Sequence, residues 1–411
     1  MAHIQTDGVS FRMIMAEIYF SIYNVPAVVW VCLGLAVVCG TLLLTVYRNH
    51  VLVCARYADR LDGADETDRT DAGAETRPGV SVIVYADDNA SALASLLPRL
   101  FSQQYAGAFE VIVVNDGSSA EVADVVKNHL ATHKNLYQTF VPVEARNLSR
   151  KKLGISLGVK AAHQPYVLIT SARCSVLSDR WLRDMTAPFA GGKDVVLGFA
   201  GINGLTRLAD RFDEVATAAE WLTSAIEGKP YRGIGFNLGY KRALFFDAKG
   251  FSRSLTLHNG DDDLFISQIA TKQNCGVALT GNSRVEVSFH NPCKALRDMR
   301  LNHCFTARML AAKGGRMFGI GTLLLWLWIA ATVTGVVFSL PNALYACVLV
   351  GMVPAVSVPL SLAWSRTAKA LGVKLPAFGV PWPMMWRWVR NLRYALLCGN
   401  KSRHNYTWSQ K

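Results

Sequence analysis

The sequence predicts an α/β fold, a mainly parallel sheet flanked by helices, joined to three transmembrane helices. Three observations predict it. Short apolar runs at 80–85, 111–114 and 166–170 alternate with helical stretches, as strands buried on both faces do when helices connect them. The runs 26–47, 319–340 and 342–364 contain no charged residue, and each is long enough to span a bilayer. Hydrophobic residues make up 51% of the 411 and the formal charge is +13. That balance is high for a soluble protein and points to membrane segments, and its charge suits an anionic partner.

The elements follow in order. Residues 1–25 mix apolar and aromatic positions with Arg12 and Glu17, as in a short interfacial helix. The first span, 26–47, is followed at once by Arg48, and the flank before it is too long for a signal peptide. Residues 48–78 read as an acidic linker, solvated from 57 onward because almost no large apolar residue occurs there. The globular domain is expected over 79–313. Strands and helices alternate through 80–85, 90–104, 111–114, 121–130, 136–143, 149–162, 166–170 and 194–199, and an amphipathic helix covers 208–226. Beyond it the order is irregular. The spans 319–340 and 342–364 form a hairpin.

The tail, 365–411, carries Arg366, Lys369, Lys374, Arg387, Arg390, Arg393, Lys401, Arg403 and Lys411 with no acidic residue, which places it in the cytoplasm. Three spans then put the amino terminus outside and the globular domain inside, in a multi-pass protein of the inner (cytoplasmic) membrane. Within the tail, 382–397 reads as an interfacial helix. The nine cysteines are scattered, with no Cys-x-x-Cys pair and no zinc spacing, which fits free thiols in a reducing compartment. No nucleic-acid motif occurs and the basic excess lies near the spans, so nucleic acid is not an expected partner.

Two polar stretches draw attention. The run Val111-Ile112-Val113-Val114 stops at Asn115-Asp116-Gly117, which places Asp116 at a strand's carboxyl end, where open α/β sheets bind ligands. Ser118 or Ser119 can cap the next helix. On these residues alone, Asp116 either faces a ligand or closes a turn through its own backbone. Asp261-Asp262-Asp263 likewise is either a reactive cluster or the capping of a helix.

Taken together, five motifs in order over 81–309 resemble a membrane-anchored family 2 glycosyltransferase of the GT-A fold. They are Val82-Ile83-Val84-Tyr85; the 111–119 stretch; Ser149-Arg150-Lys151-Lys152-Leu153; the 231–240 element, Tyr231-Arg232-Gly233-Ile234-Gly235-Phe236-Asn237-Leu238-Gly239-Tyr240; and Asn259-Gly260-Asp261-Asp262-Asp263-Leu264-Phe265. The resemblance implies a nucleotide-sugar donor above the strand ends, bound by Tyr85, Asp87, Asp116, Lys152, Arg173, Gly235 and Asn237. It implies a general base in the acidic cluster, Asp261 first and Asp262 second, acting in an inverting transfer. Asp263, Arg297, Arg300 and His303 become diphosphate or acceptor contacts; the last three otherwise form a basic helix at the membrane surface.

One element departs from the family pattern. Its D-x-D, which binds Mg²⁺ or Mn²⁺, aligns with Ser171-Ala172-Arg173. Serine and arginine are poor ligands for these ions, so no metal ligand is assigned and the cofactor is left open. Arg173 is expected to take over part of the cation's role, or else to be a solvated residue in a site that has lost catalysis. The two functional readings are therefore a membrane glycosyltransferase acting on a lipid-linked or envelope glycan acceptor, and a non-catalytic relative that binds nucleotide or scaffolds a partner. For the topology, reporter fusions at Lys411 and in the turn at Pro341 should report opposite sides of the membrane; the same side for both would refute it.

Overall fold

The computed structural model describes residues 26–67, 77–87, 89–116, 120–142, 149–310, 316–340, 342–377 and 379–400. The expected interfacial segment at 1–25, the capping serines 118 and 119, Pro341 and the end of the tail lie outside the described residues.

Helix α1, Ala27–Val46, runs into a π-helical turn, Tyr47–Val51, and on into α2, Leu52–Thr67. A π turn leaves backbone carbonyls poorly aligned with their helical donors. Here the carbonyls of His50 and Val51 accept hydroxyls from Thr223 and Thr367, at 3.1 and 2.8 Å. This corrects the expected linker: residues 48–67 are helical. Cys54, Ala55 and Ala58 form a buried stripe that the surrounding acids conceal in the sequence.

The globular domain then alternates β1 (Val80–Ala86), α3 (Ala90–Phe101), β2 (Phe109–Asn115), α4 (Ala120–Leu130), β3 (Leu136–Phe140), α5 (Arg150–Ala161), β4 (Tyr166–Ser171), β5 (Cys174–Val176), α6 (Trp181–Ala190), β6 (Val195–Gly198), β7 (Ala200–Ile202) and α7 (Leu208–Ile226). It continues through β8 (Leu238–Lys241), α8 (Arg242–Asp247), α9 (Asp263–Ile269), β9 (Cys275–Ala278), β10 (Val285–Val287) and α10 (Pro292–Thr306). The main sheet has the order β3-β2-β1-β4-β8-β6-β9, and a second sheet the order β5-β10-β7. The main sheet is parallel except at β8, which runs against both β4 and β6. Its central strands are buried on both faces, which is why they read as unbroken apolar runs.

Helices α11 (Arg316–Ser339) and α12 (Ala343–Ala370) follow, then α13 (Pro381–Met385) and α14 (Arg387–Asn400). The helices spanning Ala27–Gly63, Phe318–Ser339 and Ala343–Ala370 are long and apolar enough to cross a membrane. Small residues let them approach. A Cβ at Gly40 would meet Val356 and Trp328 at 3.2–3.3 Å, and one at Gly335 would meet Leu349 at 2.8 Å, the close packing that stabilises helices in lipid.

Arg387 and Arg390 of α14 face the protein. Asp213, fully buried on α7, has Arg300 of α10 at 3.2 Å, Arg390 at 3.6 Å and Arg387 at 3.8 Å. Arg387 also pairs with Glu220 at 2.6 Å, and Arg300 donates to Asn391 at 2.6 Å. The opposite face exposes Trp388, Leu392 and Leu396, so the helix is amphipathic as expected, with its charged side turned toward the domain. Replacing Asp213 by Ala would leave buried arginines facing one another. A loss of about 3–5 kcal/mol is expected, the usual result of removing one partner from a buried ion pair. Thermal unfolding and protease cleavage after α13 should both report it; an unchanged melt would show that the tail does not depend on this cluster.

Candidate active site

Parallel pairing lines up the carboxyl ends of β1, β2 and β4: Ala86 stands opposite Asn115, and Tyr85 opposite Ser171. Asp87, Asp116 and Arg173 therefore emerge side by side. The Asp116 amide donates to the Ala86 carbonyl at 3.1 Å and the Ala172 amide to the Tyr85 carbonyl at 2.9 Å, which fixes the start of each loop. The Tyr85 hydroxyl donates to Asp116 Oδ2 at 3.4 Å, and Arg150 Nε lies 3.7 Å from the same oxygen. Arg173 Nε donates to Asp87 Oδ2 at 2.6 Å.

The facing wall comes from α5 and the acidic loop. Ser149 caps α5, accepting from the Lys152 amide, and its hydroxyl donates to the His258 carbonyl at 2.9 Å. Consecutive helical residues point about 100° apart, so Lys151 and Lys152 serve different parts of the loop. Lys151 Nζ sits 2.6 Å from Asp261 Oδ2 and 5.3 Å from the centre of the Phe236 ring. Lys152 is buried, and its ammonium faces the carbonyls of Ser254, Leu257 and Asn259 at 2.5, 3.0 and 2.7 Å and the Ser254 hydroxyl at 3.2 Å. This corrects the expectation that Lys152 binds donor; it clamps the loop from behind. Burial lowers its pKa to about 8, with Asp261 opposing, so it remains charged at neutral pH.

The three aspartates separate by environment. Asp261 is buried against Lys151. Asp263 is buried, accepts from the Leu264 amide at 2.7 Å and from the Thr306 hydroxyl, and has Arg232 Nε at 4.0 Å. It holds α9 to α10 and is not a substrate contact. Asp262 is half-buried. Its Oδ2 accepts from the Gly235 amide at 3.1 Å and its Oδ1 from the Asp263 amide at 2.8 Å. Burial, then the neighbouring Asp261 and Asp263 carboxylates, push its carboxyl up to about 7, against the pull of Lys151. A Cβ at Gly235 would sit tightly, 3.1 Å from Asp261 Oδ2 and 3.2 Å from Lys151 Nζ, so those side-chain ends would have to give way.

Other expected contacts lie elsewhere. Asn237 is buried, accepting from Trp181 Nε1 at 3.1 Å and donating to the carbonyls of Phe199 and Ser283 at 2.9 and 2.8 Å; it ties loops together and offers nothing to a donor. Arg300 belongs to the Asp213 cluster. Burial, with Arg232 and Arg300 nearby, holds the His303 imidazole well below its usual pKa and therefore neutral. Arg297 is exposed. Arg150, Lys151 and Arg232 were not singled out from the sequence. Their signal was present in the Ser149–Lys152 run and at Arg232, but which cation meets which acid depends on the fold.

A divalent cation does not fit the described residues of this site. Ser171 and Arg173 stand where the carboxylate pair of the resembled family would be, Asp87 is paired with Arg173, and Asp261 with Lys151. Among the described residues no three His, Cys, Asp or Glu side chains are placed to hold a metal ion.

Residues 81–249 match the sequence model of glycosyl transferase family 2. Over that stretch the chain carries a family 2 glycosyltransferase domain. Its sheet order and long apolar helices fit a membrane-anchored member with a GT-A-like domain. Among solved structures, this transferase is similar to the mannosyltransferase PcManGT from Pyrobaculum calidifontis in complex with GDP-Man and Mn²⁺, at 17% identity and a TM-score of 0.47, over 87% of this chain and 99% of that one. It is also similar to residues 1–349 of S. aureus TarS in complex with UDP-GlcNAc, at 17% identity and a TM-score of 0.40, over 80% of this chain and 93% of that one. No curated protein matches the chain.

Lys152→Met should take the donor from the Leu257 and Asn259 carbonyls, while the Ser254 carbonyl keeps the Leu257 amide. At about 1–3 kcal/mol for each unsatisfied buried group, the transferase should lose at least about 2 kcal/mol, with faster hydrogen exchange over 254–262. Unchanged exchange there would show that Lys152 does not hold the loop.

Proposed function

We propose that the protein transfers a sugar from a nucleotide-sugar donor to a lipid-linked or envelope glycan acceptor, inverting the anomeric carbon, with Asp262 as the general base. One observation carries the assignment: of the three neighbouring aspartates, only Asp262 is both partly accessible and left without a cation held against its oxygens. A base works best when its pKa lies near the working pH, and the value of about 7 at Asp262 meets that condition. Asp261, the first expectation, is neutralised by Lys151 and serves to orient the loop.

In this reading Asp116, with Tyr85 and Arg150 around it, receives the nucleoside at the β2 end. The acceptor hydroxyl lies between the donor sugar and Asp262. Its oxygen forms the new bond to the anomeric carbon while the bond from that carbon to the diphosphate breaks. The bonding pair leaves with the nucleoside diphosphate, and the hydroxyl proton passes to Asp262. Attack from the face opposite the leaving group inverts the centre. The apolar helices and basic tail support placement in the cytoplasmic membrane with the domain on the cytoplasmic side, where a membrane-borne acceptor meets a soluble donor.

A screen of nucleotide sugars against membrane lipid and glycan fractions tests the activity. Turnover should fall about 10²–10⁴-fold in Asp262→Asn, the usual contribution of a general base, with donor affinity unchanged. In the wild type, kcat should decline tenfold per pH unit below about 7, because the protonated carboxyl cannot accept another proton; this dependence should vanish in Asp262→Asn. Full activity in Asp262→Asn with loss in Asp261→Asn would return the role to Asp261. No turnover with any donor would favour the nucleotide-binding or scaffolding reading.

A further inference from the structure

The loop after β4 is where the site departs most from a metal-dependent transferase, and its geometry is informative. Arg173 is half-exposed at the strand ends, and among the described residues only its Nε is engaged, by Asp87 Oδ2 at 2.6 Å. No other described residue bonds its Nη1 or Nη2. The loop is not slack: the Arg173 amide donates to Ser171 Oγ at 3.3 Å, and its carbonyl accepts from the Ser288 amide at 3.0 Å. The next residue, Cys174, is buried with its thiol directed at the Phe236 carbonyl at 3.8 Å, and Lys151 lies over the Phe236 ring. A guanidinium with two open N–H edges and an ammonium thus flank the space between the β1, β2 and β4 ends and Asp262.

We propose that this transferase binds the diphosphate of its donor without a divalent cation, through the Nη groups of Arg173 with Lys151 beside them. The inference rests on the transferase reading above. A guanidinium presents parallel N–H donors that match two phosphate oxygens and keeps its charge at any working pH. Its pairing with Asp87 is no obstacle, since ion pairs this exposed are weakly held and a diphosphate carries more charge than one carboxylate. In the transfer step the same groups face the negative charge that develops on the departing diphosphate, where fixed cations act most strongly. The nucleoside diphosphate is the favoured ligand because Asp116 and Tyr85 stand on the adjoining strand ends.

The test is calorimetry on the full-length protein in detergent, with ADP, CDP, GDP, UDP and dTDP as probes, each in EDTA and in Mn²⁺. At least one should bind in EDTA, with an affinity that Mn²⁺ changes less than twofold. Arg173→Ala should weaken it about ten- to a hundredfold, the range for a charged hydrogen bond, at an unchanged melting temperature. Should that variant melt early, Arg173→Lys and Arg173→Gln decide: partial affinity in the first and loss in the second support the proposal, and equal affinity overturns it. Farnesyl diphosphate, a lipid source of the same group, should bind at least tenfold more weakly; tighter binding would assign the site to the acceptor and overturn the proposal. Binding that requires Mn²⁺, or that ignores Arg173→Ala, would overturn it while leaving the transferase reading intact. Binding of no probe under either condition would overturn both.

Discussion

Three consecutive carboxylates in a largely buried loop repel one another and lose hydration, so the loop can exist only if cations are built in around it. Here the cations arrive from one helix start and one neighbouring loop. Lys151 meets Asp261, Lys152 grips the backbone that leads into the loop, and Arg232 stands near Asp263. The loop amide of Gly235 goes to the remaining acid, Asp262. The compensation is deliberately incomplete in its effect: two of the three acids are matched by cations and the third keeps a raised pKa. The same arrangement that makes the loop foldable leaves one carboxyl able to take a proton.

The sheet supplies the other half of the site by register alone. Parallel pairing of β1 with β2 and β4 brings Asp87, Asp116 and Arg173 to one edge without any of them needing to specify the fold. Asp116 sits among Tyr85 and Arg150, and Asp87 against Arg173, so both acids are already paired with groups that a charged ligand can displace. The long helices and the tail are joined to this domain by separate means: the Thr223 hydroxyl on the π turn, and the arginine cluster around Asp213. Site and anchor thus meet in one body, with α10 contributing Thr306 to Asp263 on one side and Arg300 to Asp213 on the other.

Much of this was legible in the sequence because it is local. Buried parallel strands announce themselves as short apolar runs. The acidic loop and Asp116 were visible for the same reason. What was not legible depends on long-range partners. Adjacent lysines look equivalent in a sequence, yet only the direction of α5 decides that Lys151 faces the cleft and Lys152 the loop behind it. Asn237 looked like a donor contact because of its motif, but its amide is consumed by Trp181 and two carbonyls. The helix at 52–67 was hidden because its buried stripe is made of Cys and Ala among acids, and Asp213 looked like one more acid on an amphipathic helix.

The central claim is that fixed side-chain cations, and not a divalent ion, carry the diphosphate opposite Asp262. A structure of the protein with a bound nucleoside diphosphate, grown in the presence of Mn²⁺ and read for anomalous scattering, tests it most directly. The account predicts the Arg173 guanidinium on the phosphate oxygens, its contact with Asp87 broken, Lys151 alongside, and no manganese signal between the phosphates and residues 171–173. A manganese ion bridging the diphosphate to Asp87, Asp261 or Asp262, with Arg173 turned away, would contradict it.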